Sequence, residues 1–447
     1  MLDLPKEFLS RMKDMLGNEF DAFISSYDKD TFRALRINTL KTSVETVKNT
    51  FSLKPVDWCK QGYYYDETER PGKSVFHESG AFYIQEPSAM AVAENLDVKE
   101  GDTVLDMCAA PGGKTTQIAC ALNSTGLLIA NEIIPSRAKI LSQNVERCGV
   151  KNCVVLNESP KTLSERFCGI FDKVLVDAPC SGEGMFRKNP LAVNEWSTDN
   201  VELCKARQLD ILDDAVKTLR SGGRIVYSTC TFSKQENEEV IDEFLSKYPE
   251  FKVVSANYEF CKGFPIDGSQ RNSMIATTNR IFPHKFDGEG HFFAILQHIG
   301  DREEVKYSLQ PSKISQSQVK IFKEWQRENL NTEFVADLSF GDNLYAMPKG
   351  TPRLDRLKVE RAGLHLGSVI KNRFEPSHSL ALALRQDEVK RTLELSKEDA
   401  LKYIGGQTLS SDGEKGWTLA VYQGISIGWC KCDGNYAKNH YPKGLRK

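Results

Sequence analysis

The sequence predicts an α/β protein: a doubly wound, mostly parallel sheet between a small α+β unit and a terminal β-rich unit. Three observations carry this. Short apolar runs alternate with helical patterns through residues 76–300, the pattern of a parallel sheet covered by helices. A loop of small residues with paired glycines follows the first of those runs directly. Beyond residue 300 the patterning changes and the charge turns basic. At 447 residues the chain also exceeds the ~250–300 residues at which one hydrophobic core stops growing, so several domains are expected.

In chain order, residues 1–75 read as a small α+β unit. It has an amphipathic start (Phe8, Leu9, Met12, Leu16), then the strand-like Leu35-Arg36-Ile37-Asn38-Thr39-Leu40. In residues 76–300 the apolar runs are Thr103–Asp106, Leu127–Asn131, Val154–Leu156, Lys173–Asp177, Arg224–Ser228 and Phe292–Leu296. Helical patterns at Ile133–Cys148, Glu202–Leu219 and Glu236–Lys247 separate them. Residues 301–380 read as a polar linker, about 301–317, and an intermediate module. Within residues 381–447, Trp417–Val421 and Ser426–Trp429 alternate around Gly424 like a hairpin.

Composition excludes several classes. With 40% hydrophobic and 27% charged residues the chain reads as an ordinary soluble protein. No stretch approaches the ~18–20 apolar residues of a membrane span. The N-terminal residues mix charge into their apolar positions and lack a signal-peptide core, so a cytoplasmic protein is expected. Twelve scattered cysteines without a C-x-x-C pair argue against a disulfide framework, and seven histidines without ligand spacing argue against a structural metal. The net charge of −2 averages unlike halves. From residue 301 onward, 24 Lys/Arg stand against 19 Asp/Glu, while the first 300 residues carry 35 against 42. Residues 349–373 hold seven cations and two acids, and residues 431–447 five and one. Such a basic stripe suits a polyanion, although a solvated surface gives the same count.

The most informative stretch is Val104-Leu105-Asp106-Met107-Cys108-Ala109-Ala110-Pro111-Gly112-Gly113-Lys114-Thr115-Thr116. Small residues let backbone approach a ligand, and the following helix N-terminus presents free N–H groups. Gly113-Lys114-Thr115 supplies the second half of a P-loop, but the first glycine would fall at Cys108, so an NTPase reading fails there. The alternative is an S-adenosylmethionine (SAM) loop. It needs an acid after the second strand for the ribose hydroxyls, which Glu132 supplies, and a contact to adenine after the third, for which Glu158 in Asn157-Glu158-Ser159 is the choice.

Two later strands each end in a thiol. Lys173–Asp177 continues into Ala178-Pro179-Cys180-Ser181-Gly182-Glu183-Gly184, and Arg224–Ser228 into Thr229-Cys230-Thr231. Ligands of open α/β sheets bind at the carboxyl ends of the strands, so Asp177, Cys180 and Cys230 converge beside the SAM loop. A buried cysteine is usually an inert small hydrophobe, but two in polar turns at one sheet edge point to covalent chemistry. Carbon 5 of a pyrimidine is too weak a nucleophile for a methyl sulfonium. A thiolate adding at carbon 6 makes an enamine whose carbon 5 can attack, after which the carbon-5 proton and the cysteine must leave. Asp177 suits the N3–N4 edge of cytosine, either accepting from the exocyclic amine or, protonated, donating to N3.

These motifs resemble the Sun-type RNA (cytosine-5) methyltransferases over most of the chain. Asp106–Thr115 resembles that family's SAM loop, Asp177–Gly182 its fourth motif and Ser228–Thr231 its sixth. Gly80–Met90, Arg187-Lys188-Asn189-Pro190 and Arg280–Lys285 followed by Gly288–Phe292 are also similar. The resemblance implies a Rossmann-like SAM-dependent core, RNA-binding roles for residues 1–75 and for the module within 301–380, Cys230 as nucleophile, and Cys180 as the thiol that assists release. It implies SAM held by Cys108, Ala109, Ala110, Pro111, Gly112, Gly113, Lys114, Glu132, Glu158 and Asp177. Trp417–Gly428 and Gly434–Arg446 resemble a terminal PUA-like RNA-binding domain, and Arg361–Gly367 the module before it, which implies the bacterial branch acting on 16S ribosomal RNA or the small subunit. Another RNA such as tRNA, uracil as the base, and a non-catalytic ribosome-assembly factor of the same fold are the alternatives. A monomer without a metal is expected.

Further residues divide between roles. Arg187 and Lys188 follow the catalytic loop and are expected at phosphates. Lys438, His440 and Lys443, interleaved with Tyr436 and Tyr441, suit RNA contacts, with a core role open for one or two of the aromatics. Arg36 and Asn38 fit RNA binding or a polar strand face equally. Lys205 and Arg207 read as the exposed face of a helix.

Overall fold

The computed structural model describes residues 3–301 and 305–446. The amphipathic start forms a helix, Lys6–Leu16, whose Phe8, Met12 and Leu16, spaced four apart, are its buried residues. A four-stranded antiparallel sheet follows in the order Leu53–Val56, Cys59–Tyr65, Ala34–Ile37, Phe82–Ile84. Its last strand lies beyond residue 75, so the N-terminal unit reaches into the stretch expected to open the core.

The central sheet has ten strands. Five are parallel, in the spatial order Leu219–Thr229, Phe171–Asp177, Thr103–Asp106, Leu127–Asn131, Cys153–Leu156. Antiparallel strands extend both edges. His291–His298 pairs with Leu219–Thr229 and carries Asn279–Ile281 and Phe251–Val254. At the other edge Val359–Ala362 pairs with Cys153–Leu156, so the stretch expected as a separate intermediate module lends a strand to the catalytic sheet. The parallel strands are apolar without alternation because apolar layers cover both faces. Leu105, Ile129, Val154 and Val174 point to one layer; Val104, Leu128, Val155 and Leu175 point to the other. Thr103–Asp106 lies between Leu127–Asn131 on one side and Phe171–Asp177 on the other, so the chain winds away from it in both directions. The carboxyl end of this strand is the switch point where an open α/β sheet takes its ligand.

Of the polar stretch 301–317, residues 302–304 lie outside the described residues. Beyond them Leu309 and Lys313 bridge to Pro352 and Leu338, and a helix begins at Gln316, capped reciprocally by Ser315 and Gln318. This helix, Gln316–Asn329, packs on a four-stranded sheet of Leu338–Phe340, Asn343–Ala346, Leu364–Ile370 and Arg373–Pro376 through Phe322, Trp325 and Phe374. The terminal unit is a five-stranded sheet around the hairpin Gly416–Tyr422 and Ile425–Cys432. Gln423 and Gly424, with φ of 49° and 77°, make the two-residue left-handed turn that such hairpins favour. This sheet shares an apolar core with the N-terminal sheet, where Phe76 and Tyr422 meet edge to face at 5.4 Å. Among the described residues no helix is long and apolar enough to cross a membrane.

Candidate active site

At the switch point the chain leaves Asp106 and returns as the helix Gly113–Leu122. Gly112 caps that helix with φ of 111°, and a Cβ there would sit 3.2 Å from Leu141 Cδ1. Arg137 Nη2 donates to Ala110 O at 2.8 Å and Asn144 Nδ2 to Pro111 O at 2.9 Å, fixing the loop from the next helix. From beneath, buried Arg36 donates to Gln85 Oε1, Gly113 O and Thr116 Oγ1. Its role is therefore to brace the loop. Asn38 is likewise committed, donating to the carbonyls of Gly80 and Cys148.

Asp106 is fully buried at the strand end. Thr115 Oγ1 donates to its Oδ2 at 2.7 Å, while Oδ1 has no partner among the described residues. Burial pushes its pKa up to about 7.

A cleft of about 490 Å³ opens above these residues, lined by Cys108, Ala110, Glu132, Ile133, Pro160 and Asp177 and closed at one end by Cys180 and Cys230. A second hollow of about 280 Å³ adjoins it at Cys108, Ala110 and Asp177 and takes in Pro111, Gly113 and Lys114. Burial keeps the Cys108 thiol protonated. Glu132, buried at the end of Leu127–Asn131, accepts from Ile134 N at 2.9 Å and lies 3.4 Å from Arg137 Nη1. Its placement suits a diol such as a ribose. Glu158 does not reach this cleft: its Oε1 accepts from Lys358 N at 2.7 Å, bound to the segment that leads into the edge strand Val359–Ala362. The residue that its loop contributes is Pro160, a flat apolar surface facing Ile133. Arg207 is exposed but stands on the cleft rim, so it is more than an outer helix residue.

The chemistry gathers at the cleft end. Asp177 ends its strand with both oxygens engaged, Lys114 Nζ donating to Oδ2 at 2.7 Å and Ser228 Oγ to Oδ1 at 2.6 Å. Burial works to raise its pKa, but the Lys114 ammonium and these hydrogen bonds outweigh it, and the carboxyl is held below the usual carboxylate range. It is an anion. Cys180 and Cys230 face each other with Sγ atoms 3.3 Å apart. Their hydrogen bond, and then burial, holds the Cys180 thiol well above its ordinary range, so Cys180 keeps its proton.

Buried polar groups that sequence reasoning passed over hold the two thiol loops. Asn237 brackets Cys230, accepting from Thr229 Oγ1 at 2.6 Å and donating to Thr231 O at 3.0 Å. Glu236 accepts from Ser181 N and Gln208 Nε2, each at 2.9 Å. Glu183 accepts from Phe232 N at 3.0 Å, from Trp196 Nε1 at 2.9 Å and from Arg11 of the first helix. Gly184 N donates to Cys230 O at 2.8 Å. The signal for Glu183 and Gly184 was their place in the motif after Cys180. Glu236 and Asn237 lay unmarked at the start of a helix pattern.

The residues expected at RNA fall into two groups. Arg187 is withdrawn from solvent, since Nε donates to Glu289 Oε2 at 2.7 Å and Nη1 to Ser26 O, which ties the catalytic loop to the N-terminal unit. The expected phosphate contact is therefore not available to it. Lys188 stays partly exposed, 3.8 Å from Glu289. Lys438 and Lys443 are exposed, and His440 packs its ring on Trp417 at 4.5 Å. Tyr436 is exposed, whereas Tyr441 belongs to the core with His378 and Tyr403.

Comparison with known proteins bears on this constellation. A family model described as 16S rRNA methyltransferase RsmB/F matches residues 93–297. Models for the RsmF N-terminal domain, first C-terminal domain and PUA domain match residues 4–87, 324–384 and 390–447. Curated relatives named ribosomal RNA small subunit methyltransferase F include those of Vibrio vulnificus (strain YJ016), 32% identical over 99% of this chain and 97% of the relative. The relative from Shewanella piezotolerans is 33% identical over 100% and 98%. Among solved structures, a methyltransferase homolog from Pyrococcus horikoshii is 29% identical with a TM-score of 0.57, covering 66% of this chain and 96% of that one.

Proposed function

The chain belongs to the ribosomal RNA small subunit methyltransferase F family, and on that premise we propose that it is an RNA (cytosine-5) methyltransferase using SAM, acting on 16S ribosomal RNA. The observation that carries the reading is the pair of thiols 3.3 Å apart at one end of the glycine-loop cleft, which an ionised Asp177 also lines. The cleft suits SAM. Glu132 suits ribose hydroxyls, and Ile133 and Pro160 suit an apolar ring. When bound, SAM supplies an electrophilic methyl on a sulfonium sulfur, taken by carbon 5 of the base.

The residues of the chain do the rest. Cys230, as thiolate, adds to carbon 6, and the electron pair passes to carbon 5. Asp177, an anion, accepts from the exocyclic amine of cytosine; uracil would set a carbonyl oxygen against the carboxylate. Water takes the carbon-5 proton, the C5–H electron pair re-forms the C5–C6 double bond as the Cys230–carbon bond breaks, and Cys180 passes its proton to the departing sulfur and regains one from solvent. The thiolate approaches above the ring, so the cytosine is unstacked. We read the enzyme as a cytoplasmic monomer whose Lys188, Lys438, His440 and Lys443 meet RNA, supported by their exposure and the basic C-terminal third.

The test is incubation with SAM and small-subunit RNA, followed by bisulfite sequencing. One or more cytosines resistant to conversion are expected with the native chain and none with Cys230→Ala. Methyl groups found only off carbon 5, or none, would overturn the reading.

A further inference from the structure

The four-stranded sheet of residues 338–376 buries one face on the helix Gln316–Asn329, through Leu344, Leu366 and Phe374. On its other face three rings run across three adjacent strands. Phe340 meets Tyr345 edge to face at 5.6 Å, and Tyr345 stacks on its cross-strand partner His365 at 4.9 Å and 30°. Phe340 is 51% exposed, and Tyr345 and His365 are half-buried. His365 Nε2 is buried without a hydrogen-bond partner among the described residues. Burial first, then nearby Arg361, lowers the His365 pKa to about 4, so this ring is neutral at physiological pH.

Around the rings the surface is polar and basic. Asn343 and Ser368 pair across the strands and hydrogen-bond at 2.7 Å. The hairpin end carries Lys371 and Arg373, both exposed and without an ion pair among the described residues, with Glu375 on the same strand as Arg373 and Asp342 in the neighbouring turn as the nearby acids. This end closes the run of seven cations and two acids over residues 349–373. Buried protein interfaces have cores depleted of charge, whereas rings interleaved with cations on an open sheet are how single-stranded nucleic acid is held.

We propose that this face is a stacking platform for a single-stranded segment of the RNA substrate, with Phe340 and Tyr345 taking bases, His365 backing Tyr345, and Lys371 and Arg373 meeting the phosphates. The proposal rests on the RNA methyltransferase reading and adds a second point of grip. The same module supplies Val359–Ala362 to the catalytic sheet, so RNA held there is held on a body continuous with the catalytic sheet.

The experiment uses the full chain and a short fluorescent single-stranded RNA, read by anisotropy. Phe340→Ala with Tyr345→Ala should weaken binding tenfold or more and raise KM for RNA, leaving kcat and KM for SAM in place. Phe340→Leu with Tyr345→Leu, which keeps apolar bulk, should show the same loss if thermal unfolding of the alanine pair reveals damage. Lys371→Ala with Arg373→Ala should reduce the slope of log affinity against log salt by about 1.4. Unchanged affinity in the ring variants overturns the proposal, as does equal binding and equal loss with a duplex. So does normal RNA binding with methylation lost only on assembled subunits, which would make the face a protein contact. Binding is read without turnover, so failure of the native chain to methylate would indict the enzyme reading and leave the platform result standing.

Discussion

Cys180 Sγ lies 3.3 Å from Cys230 Sγ, although the two residues close different strands. On the reading proposed above, Cys230 attacks, and Cys180, whose proton is held by the pairing and by burial, assists departure. Cys230→Ala should abolish methyl transfer with SAM binding retained. Cys180→Ala should instead accumulate a covalent protein–RNA adduct, seen as a denaturation-resistant band shift. An adduct in the first variant and none in the second would exchange the assignments.

Lys114 and Asp177 set a second expectation. Burial alone would raise the Asp177 pKa; the Lys114 ammonium is the main force holding it down. With Lys114→Met, burial prevails and the carboxyl titrates at higher pH. A group depressed in the folded state loses its contribution as pH falls, so the acid limb of kcat/KM should move upward in the variant. An acid limb that stays in place would mean Asp177 is not the group that must be ionised.

The catalytic edge was legible because it is local. Thr103–Asp106 and Leu127–Asn131 are strands with the bounds their apolar runs predict, and each thiol follows directly on a strand end. What stayed hidden is non-local or buried polar. The pairing of Val359–Ala362 with Cys153–Leu156 joins segments some two hundred residues apart, which no periodicity announces. Arg187 reads as phosphate-facing, and Arg36 as RNA-binding or a polar strand face equally, because a charge is usually exposed. Both side chains are withdrawn from solvent, Arg36 donating to Gln85 Oε1, Gly113 O and Thr116 Oγ1, and Arg187 to Glu289 and Ser26 O. Glu158 looked like a cofactor contact because it follows the correct strand, but its carboxylate closes on Lys358.

Asp106 predicts a pH dependence of stability. Its folded pKa of about 7 stands above the ordinary 3.8. A carboxyl raised on folding contributes fully below its unfolded pKa, and that contribution is lost as pH rises through the folded value. Between about pH 4 and 7 the native protein should lose on the order of 4 kcal/mol relative to a variant lacking the group. Asp106→Asn keeps an acceptor for Thr115 and removes the titration. Thermal unfolding followed against pH should show the variant gaining on the native chain over that window, and parallel curves would refute the shift.

Gly184 gives the most local test of how the thiols are held. Its N–H reaches Cys230 O at 2.8 Å, and a Cβ at this position would lie 3.0 Å from that oxygen and 2.9 Å from Gly290 O. Both obstacles are backbone, so the loops themselves must move. Gly184→Ala should therefore lower kcat by tenfold or more, through an error of a few tenths of an ångström in the Cys180–Cys230 approach. KM for SAM should hold, because Glu132, Ile133 and Pro160 lie on other strand ends. Glu183→Gln acts on the same clasp from the side chain, weakening the acceptor for Phe232 N, Trp196 and Arg11, and should lower kcat in the same sense. Full kcat in both variants would show that the spacing of the thiols is set elsewhere.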